Sequence, residues 1–194
     1  MADILSLSGL NAADPCACED LATPGIAGKL RLVPQCEVVS FPPLLSDTVN
    51  ATGQMSDKVT LDGDIILNST TPNKGYWREY DIVIYKGGVD YNATGEKGSK
   101  SFNNDVAFSI AGTDADRRGF AACMLNCPYV AEVTTKAGEE WVIGDDEVPA
   151  EIESIAGSTG KTAEDFNGAD YVLRANNSIP PYTYNGVIDL TPNP

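Results

Sequence analysis

Apolar residues recur at every second position over most of this chain, and at helical spacing only once. Val106, Phe108 and Ile110 alternate with polar or small neighbours, as do Tyr80, Ile82 and Ile84. Val59, Leu61, Ile65 and Leu67 do the same against Thr60, Asp62, Asp64 and Asn68. A period of two marks a strand with one buried face. The exception is a stretch at about 114–126, where Phe120, Cys123, Met124 and Cys127 fall at i, i+3, i+4 and i+7. Thr113 with Asp116 supplies a capping signal for that helix, and Pro128 stops it. Many short strands and one helix bury their apolar faces as an all-β sandwich or barrel with one packed α-helix.

Strands are expected at 29–33 and 37–41, the second stopped by Pro42-Pro43, with a polar loop at 44–56. The alternating segments 59–68 and 80–85 read as one long hairpin around a turn at 72–75, with Gly63 a bulge or bend. Residues 86–104 are rich in Gly, Asn, Ser and Lys and read as a long polar loop, the kind that tends to carry function. After the strand at 106–110 and the helix, a hairpin at 129–135 and 139–143 turns at Ala137-Gly138. Further strands are expected at 150–155, 171–175 and 184–190. Residues 1–25, with Pro15, Pro24 and many small side chains, read as an extended N-terminal arm on a single domain spanning 26–194.

Charge narrows the function classes. Thirteen basic against 28 acidic residues leave −15, a surface that repels nucleic acid and anionic membrane. The one basic pair, Arg117-Arg118, is flanked by Asp114 and Asp116. No apolar run approaches bilayer length, so no membrane binding is expected, and the N-terminus lacks the basic region of a secretory signal. The sequons at Asn50, Asn68, Asn92 and Asn176 therefore read as turn chemistry.

Histidine is absent, which removes the commonest general base and every Cys/His metal site. Cys123 and Cys127 are expected in the core on the helix face, while the state of Cys16 and Cys18 in the arm is open. Gly160-Lys161-Thr162 imitates a phosphate loop, but Ile155 stands where the motif needs glycine, and Glu151 and Glu153 precede it. A polar turn capped by Ser158 or Thr159 and leading into a short helix with Glu164-Asp165 is the better reading. Asp145-Asp146-Glu147 lacks the EF-hand register and reads as an acidic turn. Asp62 and Asp64, two apart in a strand, share one solvated acidic face. No catalysis, cofactor or metal is expected.

From about 101 to 190 the order of features resembles the major tail-tube protein of tailed bacteriophages. The strand at 106–110 is followed by the helix at 114–126, the hairpin at 129–143 with Trp141, the 144–149 turn and the strand at 150–155. Then come Ser158-Thr159-Gly160-Lys161 to Asp165-Phe166-Asn167-Gly168, a last strand, and Pro180-Pro181-Tyr182-Thr183-Tyr184. Pro24-Gly25-Ile26-Ala27-Gly28-Lys29-Leu30 resembles the first strand of such subunits. The resemblance implies a virion structural protein, made in the bacterial host cytoplasm. Its subunits form hexameric rings that stack into the DNA-conducting tail tube. Partners are then other copies of itself, further tail proteins (sheath or terminator, baseplate or tip) and DNA in non-specific transit. At −15 each, six copies carry −90 per ring, and an acidic channel lets DNA slide. Candidate lumen-facing acids are Asp62, Asp64, Glu151 and Glu153. The alternatives are a receptor-binding surface β-sandwich and a tail-terminator or neck ring protein.

Overall fold

The computed structural model describes residues 25–70, 74–162 and 164–192. Apart from Gly25, the expected arm lies outside them, and so do Cys16 and Cys18. Among the described residues the chain forms three antiparallel sheets and one α-helix.

A five-stranded sheet is built from β1 (Ile26–Pro34), β4 (Arg78–Asp81), β7 (Tyr129–Thr135), β8 (Glu140–Ile143) and β11 (Tyr182–Tyr184), in the order β11-β8-β7-β1-β4. A four-stranded sheet contains β5 (Gly88–Thr94), β6 (Ser101–Ala111), β9 (Glu151–Ser158) and β10 (Gly168–Asn177), in the order β5-β6-β10-β9. β2 (Val38–Ser40) and β3 (Ile66–Leu67) make a small ribbon.

The main core lies between the two large sheets. Leu30, Leu32, Ala131, Val133 and Ile143 project from one, and Val106, Phe108, Tyr171, Leu173 and Ala175 from the other. Phe108 and Tyr171 sit opposite each other in register and stack with centroids 5.0 Å apart. A second core covers the far face of the five-stranded sheet. There Val33, Val130 and Val142 meet Leu61, Ile65 and Trp77 from the 41–77 region and Tyr182 and Tyr184 near the C-terminus. The alternating residues of β1, β7 and β8 are thus buried on both sides.

That far face also holds charge. Arg31 on β1 has Glu79 and Glu132 as its cross-strand partners on β4 and β7. It donates to Glu79 at 3.0 Å and to Glu132 at 2.8 Å. Glu132 is 1% exposed, and burial pushes its carboxyl up despite the guanidinium beside it. Glu37, also buried, accepts a fork from Arg78 and the Gly75 N–H, which pins the β2–β3 ribbon.

Helix α1 (Ala115–Met124) starts at Asp114, whose side chain accepts the Arg117 N–H. Phe120 wedges between the rings of Tyr80 and Tyr171, 4.8 and 5.8 Å away, and Met124 is fully buried. The contact stripe runs through positions 120, 121 and 124. Cys123 lies about 100° round the helix from it, and Cys127 falls in the turn after the helix end, so both are exposed rather than in the core.

Two further expectations are corrected. Segments 59–68 and 80–85 do not pair; β3 keeps two residues of the first and bonds to β2, whereas β4 bonds to β1. The apolar alternation there is real, but Leu61 and Ile65 are loop anchors dropped into the second core, and Gly63 (φ 128°) bends the backbone between them. Residues 86–104 are not a loop. β5 and β6 form a hairpin with unbroken register from Gly88↔Ala107 to Thr94↔Ser101. The hairpin at β7–β8 forms as expected, but the strand expected at 184–190 does not: only Tyr184 is in a strand, at the end of β11, and 185–190 lie outside any strand.

Candidate functional site

The four-stranded sheet has one face in the main core and one face open to solvent. Cross-strand register brings its outward side chains into rows. Asp90, Asp105, Arg174 and Glu151 lie in one row across all four strands. Asn92, Asn103 and Asn176 lie in the next, and Gly88, Ala107, Val172 and Ser154 in the row on the other side. Beyond that, Ser109 donates to Asp170. Val172 is the largest aliphatic side chain on this face. The rest are acids, amides, hydroxyls, glycine, alanine and Arg174, so the surface is polar.

Five carboxylates stand here, on Asp90, Asp105, Asp170, Glu151 and Glu153, against the guanidinium of Arg174 and, at the Ser109–Asp170 end, Lys86, which lines a recess there with Ala107, Ser109, Asp170 and Val172. Arg174 takes Asp105 as a fork at 2.7 and 2.9 Å and Glu153 at 2.7 Å. The side-chain bonds to Asp105 hold its guanidinium even more firmly protonated than usual. Glu153 reaches this face because β9 carries a bulge: Leu173 pairs with Ile152 and Val172 with Ser154, which leaves Glu153 as the extra residue. The bulge also resets the alternation, so that Ile152 and Ile155, three apart, both meet the main core.

Both edges of this sheet are open. β5 pairs only with β6, and β9 only with β10, among the described residues. β5 carries no bulge, lysine or proline, the usual guards of a free edge.

Of the acids singled out in the sequence, Glu151 and Glu153 sit on this face, whereas Asp62 and Asp64 do not. The latter pair lies in the loop over the second core, outside any strand, and the two carboxylates do different things. Asp62 accepts from Asn50 Nδ2 at 2.9 Å and is held below the usual carboxylate range by its bonds to Thr48 and Asn50. Asp64 accepts the Val187 N–H at 2.8 Å and ties down the C-terminal segment. The sequence reading passed over Asp90, Asp105, Asp170 and Arg174. For Asp105, Asp170 and Arg174 the signal was mostly polar alternation opposite the apolar set in 101–109 and 168–176, broken at Ala107 and Val172; Asp90 sits in the polar stretch 88–94.

The phosphate-loop lookalike is already occupied by the chain itself. The Lys161 and Thr162 N–H groups donate to the Asp165 carboxylate at 2.7 and 2.8 Å, which lowers its proton affinity. Glu164 and Asp165 lie in a turn rather than a helix, because this bond closes the loop on itself. Asp145 likewise serves its own turn, accepting the Glu147 and Val148 N–H groups at 2.9 and 2.6 Å, Asn177 at 2.9 Å and the Tyr182 hydroxyl at 2.6 Å. Among the described residues no cluster of three or more Cys, Asp or Glu is arranged to hold a metal ion, and no helix is long and apolar enough to cross a membrane.

Comparison with family models, with curated proteins and with solved structures finds no match.

Proposed function

We propose that this chain is a structural subunit whose four-stranded sheet joins those of neighbouring copies, edge to edge, around a channel. The rings stack into the DNA-conducting tail tube of a bacteriophage. The observation that carries this reading is the pairing of two properties in one sheet: a face rich in carboxylates and two edges open among the described residues, of which the β5 edge lacks a bulge, lysine or proline. An exposed edge templates pairing with another chain, and closure into a ring removes it. The bare face then turns inward. Its carboxylates and short polar side chains offer DNA a surface that repels phosphate and makes no apolar grip.

The dimensions are compatible. Six copies of a four-stranded sheet make a 24-stranded barrel. At about 4.8 Å between strands and a tilt of about 40°, its backbone diameter is roughly 48 Å, with room for a duplex inside. The five-stranded sheet, covered on both faces, forms the outer wall. The order of motifs that resembles tail-tube subunits points the same way.

Negative-stain microscopy of the concentrated protein is the test. Hollow polymers of stacked rings are expected. Single closed rings restrict the role to a terminator or neck component, and dispersed particles at high concentration overturn the reading.

A further inference from the structure

The two ends of the four-stranded sheet differ in a way that suggests how one ring meets the next; this inference rests on the tube reading. At the end where β9 finishes and β10 begins, a cleft of about 300 Å³ opens between helix α1 and the sheet. Its floor is apolar, with Ala121, Ile155 and Ala169, and Arg117 and Arg118 stand at its rim. Arg117 is paired with Asp114. Arg118 makes only a long bond to the Asp114 carbonyl, at 3.4 Å, and has no carboxylate partner among the described residues. In a chain of charge −15 with 28 acids, an arginine without a carboxylate beside an apolar cleft is unusual.

The turn between β8 and β9 lies at the opposite end, where β9 begins. Asp146, Glu147 and Val148 are exposed there, and neither acid has a basic partner among the described residues. This turn is held rigid from behind. Asp145 binds the N–H groups of Glu147 and Val148 and is itself fixed by Asn177 and Tyr182. Gln35 Nε2 donates to the Asp146 carbonyl at 2.6 Å. Gly144, at φ 83°, permits the tight approach, since a Cβ there would lie 2.6 Å from the Ala150 nitrogen. The result is a preorganised knob with two carboxylates and an apolar tip, which loses little entropy on docking.

We infer that the 146–148 knob of one copy seats in the arginine-rimmed cleft of a second copy in the adjacent ring, Val148 on the apolar floor and the Asp146 and Glu147 carboxylates toward Arg118. The knob and the cleft lie on different surfaces at opposite ends of the strands, so the contact is heterologous and does not close on itself. Head-to-tail contacts of this kind propagate as filaments. Charge complementarity favours a second copy as the occupant, because the chain carries 28 acidic against 13 basic residues and presents two of its acids on the knob.

The test is charge exchange in the full-length chain. R118E alone and D146K/E147K alone are each expected to raise the critical concentration for polymers about tenfold or more. The combined variant is expected to restore assembly close to the wild-type value. Unchanged melting curves of the unassembled variants establish that folding is not the cause. Single variants that polymerise like wild type, or a combined variant that stays defective, overturn this contact while leaving the tube intact. A wild-type chain that never polymerises overturns both.

Discussion

The two sheets of the sandwich share one core but differ on their outer faces. The five-stranded sheet buries its far side under loop anchors and the C-terminal segment, around Trp77, Tyr182 and Tyr184. The four-stranded sheet leaves its far side bare, and its strands read as clean polar–apolar alternation for that reason. The difference separates stability from function. A sheet covered on both faces is finished within one chain. One with a bare face and two open edges is finished by something outside it, and a second copy supplies matching edges.

Three sets of substitutions and one titration probe that contrast. The largest effect is expected from proline on the free edge. Neighbouring residues of β5 direct their N–H groups to opposite sides, so one of Y91P and N92P blocks the outer edge and the other breaks the hairpin with β6. The edge-blocking variant is expected to abolish polymers by sedimentation while its melting curve stays near wild type. If both variants fold and assemble, the edge is not an interface. Next, E132A removes the buried one of Arg31's two carboxylate partners while Glu79 remains, and is expected to cost up to about 3 kcal/mol in denaturant unfolding. A loss below about 1 kcal/mol would mean that water reaches this pair.

The third compares adjacent residues of β10 that face opposite ways. L173A, in the main core, is expected to cost about 2–5 kcal/mol, and V172T, on the bare face, about 0.5 kcal/mol or less. Similar costs would mean that the face is not bare in the folded chain. The smallest effect is in pH. Asp57, in the loop over the second core, accepts Thr52, Gly53 and Gln54 N–H groups, and its bonds to Thr52 and the following backbone hold it below the usual carboxylate range although burial opposes them. Its stabilisation is present above the ordinary carboxylate range and is lost as pH falls below it. Glu132 works with the opposite sign. Its folded value is raised, so the native state holds the proton more tightly and this group favours folding as pH falls. The acid limb of the thermal stability curve should therefore flatten in D57N and steepen in E132Q.

Legibility in the sequence followed the same division. The main core could be read because its strands alternate cleanly: Val106, Phe108 and Ile110 against Tyr171, Leu173 and Ala175. The β7–β8 hairpin could be read because its turn is local. β5 was lost in polarity. Its apolar positions are only Val89, Tyr91 and Ala93, set among residues that favour loops. The loop over the second core misled in the other direction, since Leu61 and Ile65 alternate like strand residues while serving as separate anchors. The bare face was half legible. Glu151 and Glu153 stood out as a local pair, but Asp90, Asp105 and Arg174 meet them only through register, across strands up to 84 positions apart (90 to 174).

A cryo-EM reconstruction of polymers grown from the purified chain tests the central claim most directly. The expected map has a continuous wall of strands around an open channel, with Asp90, Asp105 and Glu151 on the inside and the Trp77 core on the outside. Polymers with the bare sheet face turned outward, or a chain that remains monomeric at every concentration tried, would contradict it.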